Sequence, residues 1–283
     1  DRLVSLTVKD DAQETSGVLS TADFRAIEAQ TKTLTAVGAI SYEGSVTLTG
    51  MGDPEQVSAS LITAGVLTAL GRQPVIGRTP RPDEDRRGGA RVVVLSHGFW
   101  RERFAGSTDA LGRTLTVNGE PHEIIGVMPE GFAIPGLPGR RLWPVLQLEE
   151  PTARPPFWLR VVGRLAPGSA IPQVSAELQS IAMTVKAKYP DSPPEWSYRV
   201  EDLKTRVVGG AGTTVLILYG AVALILLMAS ANVANLSLAR TTSRIPELAL
   251  RNALGADRRR ISQQLLTEGV LVASLGGALG LVL

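Results

Sequence analysis

The sequence predicts an α+β domain followed by transmembrane α-helices. About 210 residues of ordinary globular composition come first, with helical patterns set among mostly antiparallel strand patterns. An uncharged run of 33 residues, 207–239, follows them. A helix needs about 20 mostly apolar residues to cross the hydrocarbon core of a bilayer, whereas apolar runs of about 10–14 residues are more typical of buried helices in soluble proteins. We therefore predict a membrane span, which we place at 211–238.

The first part of the chain contains clear starts and ends of helices. Ser20 and Asp23 have the Ser-x-x-acid spacing of a helix N-terminus. A strand pattern at 57–62 leads into a short apolar helix, which we expect to end at Gly71. Ser96 is a second candidate N-cap, directly after a short apolar strand.

Further along, strand patterns dominate. The clearest strand pair is a hairpin that turns at Asn118 and Gly119, since this dipeptide accepts the positive φ angles of a tight turn. Residues 157–165 alternate between two faces, as expected of a strand with one face in the core. Pro172 then opens a helix, and residues 198–203 form the last predicted strand before the span.

The distribution of charge predicts the topology. Residues 1–210 contain 23 basic and 24 acidic side chains, whereas residues 240–267 contain six arginines and two acidic side chains, a net charge of +4. A short arginine-rich loop beside a span marks the cytoplasmic side of the membrane, so residues 1–206 are predicted to lie outside the cytoplasm. Nucleic-acid binding is the alternative reason for a basic patch, but the position beside a span favours topology.

The two ends of the chain predict that it is a piece of a longer membrane protein. Residues 269–283 are again uncharged but are too few to cross a bilayer, so we interpret them as a truncated second span. The N-terminus has neither a signal sequence nor a start methionine. Cysteine is absent, which excludes a disulfide framework.

The sequence predicts no enzyme and no cofactor site. His97 and His122 are too far from any acidic cluster to suggest a metal site, and Ser96 beside His97 has no nucleophile motif around it. The phosphate-binding motif Gly-x-x-x-x-Gly-Lys-Ser/Thr does not occur. The charged loop 83–87 carries both signs, and we interpret it as a solvated loop rather than a metal or substrate clamp.

The arginine-rich loop contains a short predicted helix. Pro246 and Glu247 suit its first turn and Gly255 suits its end. Three side chains form a small apolar face on this helix: Leu250, Ala253 and Leu254. By pattern alone, the helix could dock on a partner protein or lie on the lipid surface, anchored by arginines.

Several segments resemble the MacB/FtsX family of ABC transporter permeases. Those around the first span are 231–240, 247–256 and 264–268. Those in the outer region, which are similar to the MacB-like periplasmic core, are 92–100, 115–119, 125–129 and 162–165. The resemblance covers nearly the whole chain and is strongest to the duplicated orphan permeases abundant in acidobacteria.

The resemblance implies a division into domains. Residues 1–206 would be the periplasmic core, with a porter-like subdomain built from 1–70 and 156–206 and an inserted β-rich subdomain at 71–155. Residues 207–283 would begin the FtsX-like permease domain, with the span 211–238, a cytoplasmic coupling loop at 240–267 and the truncated second span at 269–283.

The resemblance also implies a function. The protein would be an inner-membrane permease subunit that works as a dimer with a cytoplasmic ABC ATPase and relays ATP-driven motion to a periplasmic domain for export. ATP would be used by the partner, and a periplasmic adaptor is a further candidate partner. The residues implied to dock on the ATPase are Glu247, Leu250, Arg251, Ala253, Leu254 and Gly255. Two rival functions remain: a non-transporting regulator that signals across the membrane, as in the cell-division branch, and a purely structural periplasmic adaptor.

Overall fold

The computed structural model describes residues 2–10, 13–41, 44–190 and 197–243, together with Gln263, Thr267 and Val270. The strands, in chain order, are β1 (Leu3–Asp10), β2 (Gln13–Ser16), β3 (Leu19–Ser20), β4 (Leu34–Ser41), β5 (Ser45–Thr49), β6 (Glu55–Ser58), β7 (Ile76–Gly77), β8 (Val92–Leu95), β9 (Thr114–Val117), β10 (Glu120–Val127), β11 (Leu142–Pro144), β12 (Phe157–Leu165) and β13 (Ser197–Asp202). The helices are α1 (Thr21–Gln30), α2 (Gly65–Leu70), α3 (His97–Phe104), α4 (Ile171–Lys188) and α5 (Leu203–Ser243).

The chain divides into two compact units, Asp1–Gly212 and Thr213–Leu283. The fold class of the first unit is α+β, as predicted.

The first sheet is antiparallel and is assembled from both ends of the first unit. β1 lies between β13 and β12, and β12 also pairs with β3 and β4. Val4 lies opposite Asp202 in β13 and opposite Gly163 in β12. Helices α1 and α4 supply Phe24 and Leu178 to a core that also contains the fully buried Leu6 of β1. The first strand of the described chain therefore runs beside the last one.

The helix signals in the sequence are confirmed at these positions. The Ser20 hydroxyl accepts a hydrogen bond from the Asp23 amide at 3.1 Å, and the Asp23 carboxylate accepts one from the Ser20 amide at 3.2 Å, which completes a capping box for α1. Gly71 ends α2 in the left-handed conformation at φ 63°. Pro172 lies in the first turn of α4.

The second sheet contains seven strands and closes on itself. Its path runs β11-β8-β10-β9-β5-β6, with β7 added beside β10. Within this path the β8–β10 pairing is parallel, and so is the bridge between Ala59 and Leu142 that links its two ends. The two ends of the path are joined because the Arg141 amide donates to the Ser58 carbonyl at 2.8 Å and the Ser60 amide donates to the Leu142 carbonyl at 3.2 Å. Closure removes the unpaired edges that open sheets expose. The buried ring of Phe99 in α3 packs in the core of this sheet.

The second sheet includes two strands that precede residue 71, where the resemblance places the start of the inserted subdomain. These strands are β5 and β6, so the sheet itself starts at Ser45. The reason is a long-range pairing, because Leu48 and Thr49 of β5 lie opposite Val117 and Thr116 of β9. Local periodicity identifies a strand but cannot identify a partner about 70 residues away.

The predicted hairpin is confirmed and is tied to a third strand. Asn118 has φ 51° and Gly119 has φ 82°, so both adopt the left-handed conformation that a tight turn needs. The Asn118 carboxamide oxygen also accepts a hydrogen bond from the Thr47 amide at 2.8 Å, and the Asn118 amide donates to the Thr47 carbonyl at the same distance. The turn residue thus fixes the alignment of β9 with β5.

A third apolar core joins the two sheets. It contains Ile40 of β4, Leu67 of α2 and Trp143 of β11, all almost fully buried. It also contains Leu203, the first residue of α5, which is 6% exposed. Helix α5 is therefore anchored at its start in the interior of the first unit.

Candidate functional site

The residues predicted to dock on an ATPase lie outside the described part of the chain. These are Glu247, Leu250, Arg251, Ala253, Leu254 and Gly255. Their assignment stays a prediction. The structure instead describes the connection through which the first unit continues into α5.

Helix α5 contains the predicted apolar span. Val215–Leu236 is 22 residues long, has a mean hydropathy of 2.2 and has none of its residues buried. It is the one helix among the described residues that is long and apolar enough to cross a membrane. An apolar surface of this length that is exposed all round is typical of a helix whose solvent is lipid.

The connection between β13 and α5 has no linker. β13 ends at Asp202 and α5 begins at Leu203. The Asp202 carboxylate accepts hydrogen bonds from the amides of Lys204 and Thr205 at 2.9 and 3.1 Å, which satisfies two of the free N–H groups of the first turn. The last residue of a sheet strand therefore caps the helix that carries the apolar segment.

A stretch of low helix propensity follows this anchored start. Gly209, Gly210 and Gly212 lie between the first turns of α5 and the apolar segment that begins at Val215. Each glycine lowers the stability of a helix by about 1 kcal/mol relative to alanine. The helix nevertheless continues through them without interruption.

Strand β13 is held in place by a buried charged network. The Asp23 carboxylate, fully buried at the start of α1, accepts hydrogen bonds from Arg154 Nε at 3.0 Å and from the Tyr198 hydroxyl at 2.6 Å. Its other oxygen accepts the Ser20 hydroxyl at 2.8 Å. Burial, together with the charge of Asp23, raises the pKa of Tyr198, so the phenol keeps its proton and remains a donor. The network joins α1, the segment that returns from the second sheet, and the strand that leads into α5.

The interpretation of loop 83–87 as solvated is wrong for two of its residues. Glu84 and Asp85 are 3% and 2% exposed. Arg78 binds both oxygens of the Glu84 carboxylate, at 2.9 and 2.5 Å. Burial acts to raise the pKa of Glu84, but the hydrogen bonds from Arg78 and from the Arg81 amide outweigh it and hold the pKa below its usual value.

Asp85 joins this loop to both α1 and α2. Its carboxylate accepts the Ala64 amide at 3.1 Å, just before α2, and lies 3.6 Å from Arg25 Nη1 of α1. Burial raises the pKa of Asp85, opposed by the Ala64 hydrogen bond. A local sequence pattern cannot predict either contact, because Arg25 is 60 residues and Ala64 is 21 residues away from Asp85. Through Asp85, the charged loop is therefore attached to both helices.

The two histidines lie in different surroundings. His122 is buried, its Nδ1 lies 2.9 Å from the Glu120 carbonyl oxygen, and burial lowers its pKa, so the ring is neutral at pH 7. The His97 ring packs edge-on against the Trp100 ring, and the two ring centroids are 5.4 Å apart. Within the described ranges, no group of three or more potential metal ligands is found.

The sequence matches two known domain families. The model of the MacB-like periplasmic core domain matches residues 1–181, which is more than half of the chain. The chain belongs to the MacB-like periplasmic core domain family. The model of the FtsX-like permease C-terminal domain matches residues 219–283, so a MacB-type periplasmic core precedes the start of an FtsX-type permease domain.

Similar whole proteins are longer than this chain. The macrolide export ATP-binding/permease protein MacB of Wolinella succinogenes is 29% identical over 243 residues, which cover 83% of this chain and 36% of that protein. The MacB protein of Azoarcus sp. is 29% identical over 285 residues, which cover 95% of this chain and 40% of that protein. The chain thus spans about two fifths or less of the curated MacB relatives it matches here.

Solved structures of periplasmic or extracellular domains are also similar. One is the extracellular domain of the noncanonic ABC-type transporter YknZ from Gram-positive bacteria. The alignment covers 70% of this chain and 99% of that domain, with 16% sequence identity and a TM-score of 0.49. The periplasmic region of MacB from Actinobacillus actinomycetemcomitans covers 72% of the chain, with 90% of its own length aligned, at 14% identity and a TM-score of 0.49.

Proposed function

We propose that this chain is the permease part of an ABC-type exporter and relays ATP-driven motion from a cytoplasmic ATPase to its periplasmic domain. The observation that carries this proposal is the linker-free connection of β13 to α5, capped by Asp202 and anchored by the buried Leu203. A helix that begins in the core of a folded unit transmits displacement to that unit better than one attached through a flexible segment.

The proposed arrangement has a periplasmic domain, an inner-membrane span and a cytoplasmic loop. Its support is the charge difference between the near-neutral residues 1–210 and the net +4 of residues 240–267. The curated relatives carry names that combine ATP binding with a permease. Because this sequence has no phosphate-binding motif, ATP would be hydrolysed by a protein or domain outside it. A second permease copy would complete a dimer.

The loop 240–267 is the proposed docking element for the ATPase. In the helix that the sequence predicts there, Leu250, Ala253 and Leu254 form an apolar face too small to be buried against its own length. Small side chains allow a partner to approach closely. Arg251 could pair with an acidic rim on that partner.

We expect Ala253→Trp to prevent the ATPase from binding. A bulky ring in the middle of a closely packed apolar contact would hold the two surfaces apart. Asn252→Trp is the matched control, because a helical period places residue 252 on the opposite side from residues 250 and 254 of the apolar face. The measurement is the amount of ATPase that co-purifies with the full permease, compared for the wild type and both variants.

The two outcomes distinguish docking from lipid binding. In a docking helix, Ala253→Trp loses the ATPase while Asn252→Trp retains it. If the helix rests on lipid, a tryptophan on its apolar face would be tolerated or would strengthen membrane binding. Wild-type amounts of bound ATPase with Ala253→Trp would exclude this helix as the coupling element.

A further inference from the structure

Two carboxamide side chains lie within the apolar segment of α5. Asn232 and Asn235 belong to Val215–Leu236, and both are exposed like the rest of that segment. They are three residues apart, so they lie on the same face of the helix. A carboxamide has two N–H donors and an acceptor oxygen, and leaving such groups unpaired in hydrocarbon costs several kcal/mol. This face of α5 therefore needs a polar partner inside the membrane.

The partner has to come from another helix. A hydroxyl in a helix can donate to a carbonyl of its own previous turn, as the Thr242 hydroxyl does to the Leu238 carbonyl at 2.7 Å, but a carboxamide has more groups to satisfy. The side chain of Asn232 is also too short to reach the membrane surface. It lies eight residues, or about 12 Å of helix, before Arg240, the first charged residue after the span.

The next apolar segment of the same chain is the nearest source of a partner. Residues 269–283 are uncharged and follow the loop 240–267, and the FtsX-like domain model covers both segments. Apart from Val270, they lie outside the described residues, so their helix is a prediction from the sequence. Segments joined by a short loop usually lie side by side, and here they would run antiparallel.

The polar and small residues of the two segments occur at matching depths. Asn235 precedes Arg240 by five residues and Ser274 follows Glu268 by six, which places them about 8 and 9 Å from the same membrane surface. Gly277, three residues beyond Ser274, is on the same face of the predicted helix and at the depth of Asn232. Small residues allow two membrane helices to approach closely, and polar side chains then form hydrogen bonds between them.

We propose that the carboxamide face of α5 packs against residues 269–283 of the same chain. Asn235 forms a hydrogen bond with the Ser274 hydroxyl. Asn232 donates to the second lone pair of a backbone carbonyl beside Gly277, where no side chain covers the backbone. The proposal does not depend on ATP-driven relay, because it requires only that both segments enter the membrane.

The test is the rate of disulfide formation between introduced cysteines in a full permease that has no other cysteine, in membranes. Met228→Cys with Leu281→Cys places the pair on the same two faces, further from the loop, and keeps both carboxamides. Leu226→Cys with Leu281→Cys is the matched control, because residue 226 lies on the opposite side of α5. We expect the first pair to react at least about tenfold faster, since a disulfide needs Cβ atoms about 4 Å apart.

Non-reducing gels and trypsin distinguish the proposed partner from a second copy of the protein. A disulfide within one chain leaves a monomer band and joins the tryptic peptide 207–240 to the peptide that begins at residue 261. A disulfide-linked dimer as the main product of the first pair would overturn the proposal and assign this face to a second copy. Equal rates for the two cysteine pairs would overturn it as well.

The role of the carboxamides is tested in the Met228→Cys, Leu281→Cys background. We expect Asn232→Leu and Asn235→Leu each to slow disulfide formation about threefold, the factor typical of one hydrogen bond between membrane helices. Val233→Leu, on another face of α5, should leave the rate unchanged. Ser274→Ala should also slow it, and it serves if an asparagine variant fails to assemble. Unchanged rates in all the asparagine and serine variants that assemble would overturn the assignment.

Discussion

Replacing Asp23 with alanine is expected to destabilise the N-terminal unit by about 3–5 kcal/mol. The substitution removes the Asp23 carboxylate from the buried ion pair with Arg154, whose side chain is 3% exposed. It also removes the acceptor of the Tyr198 hydroxyl and opens the capping box of α1. A loss of this size is a large part of the total stability of a typical domain, which is about 5–15 kcal/mol.

Urea unfolding followed by tryptophan fluorescence measures this effect in the whole protein. All four tryptophans precede α5, so their emission reports on the N-terminal unit alone. Asp53→Ala, which removes an exposed carboxylate, is the control and should change the stability by no more than about 0.5 kcal/mol. A similarly small change for Asp23→Ala would show that the network does not hold β13.

The second large effect is expected at the contact between α2 and β4. A Cβ atom at Gly65 would lie 1.9 Å from the Val37 carbonyl oxygen, and one at Gly38 would lie 2.3 Å from the Val66 amide nitrogen. Both neighbours are backbone atoms, so neither can move aside by a change of rotamer. Gly65→Ala must therefore push α2 away from the sheet, and we expect a loss of about 1–3 kcal/mol or more, as for overpacking elsewhere.

Gly98→Ala is the matched control for this prediction. Gly98 lies within α3, and a Cβ atom there would have no other atom within 4 Å. Alanine at this position should stabilise the protein by about 0.5–1 kcal/mol, because it is the better helix former. The same urea unfolding experiment applies, and equal midpoints for the two alanine variants would contradict the close approach of α2 to β4.

The local features of the fold could be predicted from the sequence because they depend on neighbouring residues. Ser20 and Asp23 are three residues apart, and the turn at Asn118 and Gly119 is a property of the dipeptide itself. The alternation of residues 157–165 likewise identified β12 from a single segment.

The features that could not be predicted from the sequence depend on contacts between segments that are far apart in the chain. Asp23 was recognised as a cap, but its contacts with Arg154 and Tyr198 span 131 and 175 residues. The burial of Asp85 depends in the same way on Arg25 and on the Ala64 amide. No local pattern distinguishes such a carboxylate from a solvated one, because charged residues on a loop are mostly exposed.

The central claim is that α5 relays motion between the ATPase and the periplasmic domain through its helical connection. The direct test inserts a flexible Gly-Ser-Gly-Ser segment between Val208 and Gly209, beyond the residues that anchor the start of α5. The same insertion after Gly52, on an exposed turn, is the control. Both variants should retain ATPase binding and ATP hydrolysis, because the loop 240–267 is unchanged.

The measurement is the distance between spin labels on cysteines that replace Ala187 in the two copies of the reconstituted permease, with and without ATP. The chain contains no cysteine of its own, so the labels are specific, and Ala187 is exposed on α4. We predict that ATP changes the distance distribution in the wild type and in the Gly52 control, and that the insertion after Val208 abolishes this change while hydrolysis continues. The same ATP-dependent change in the Val208 variant would contradict a relay through α5.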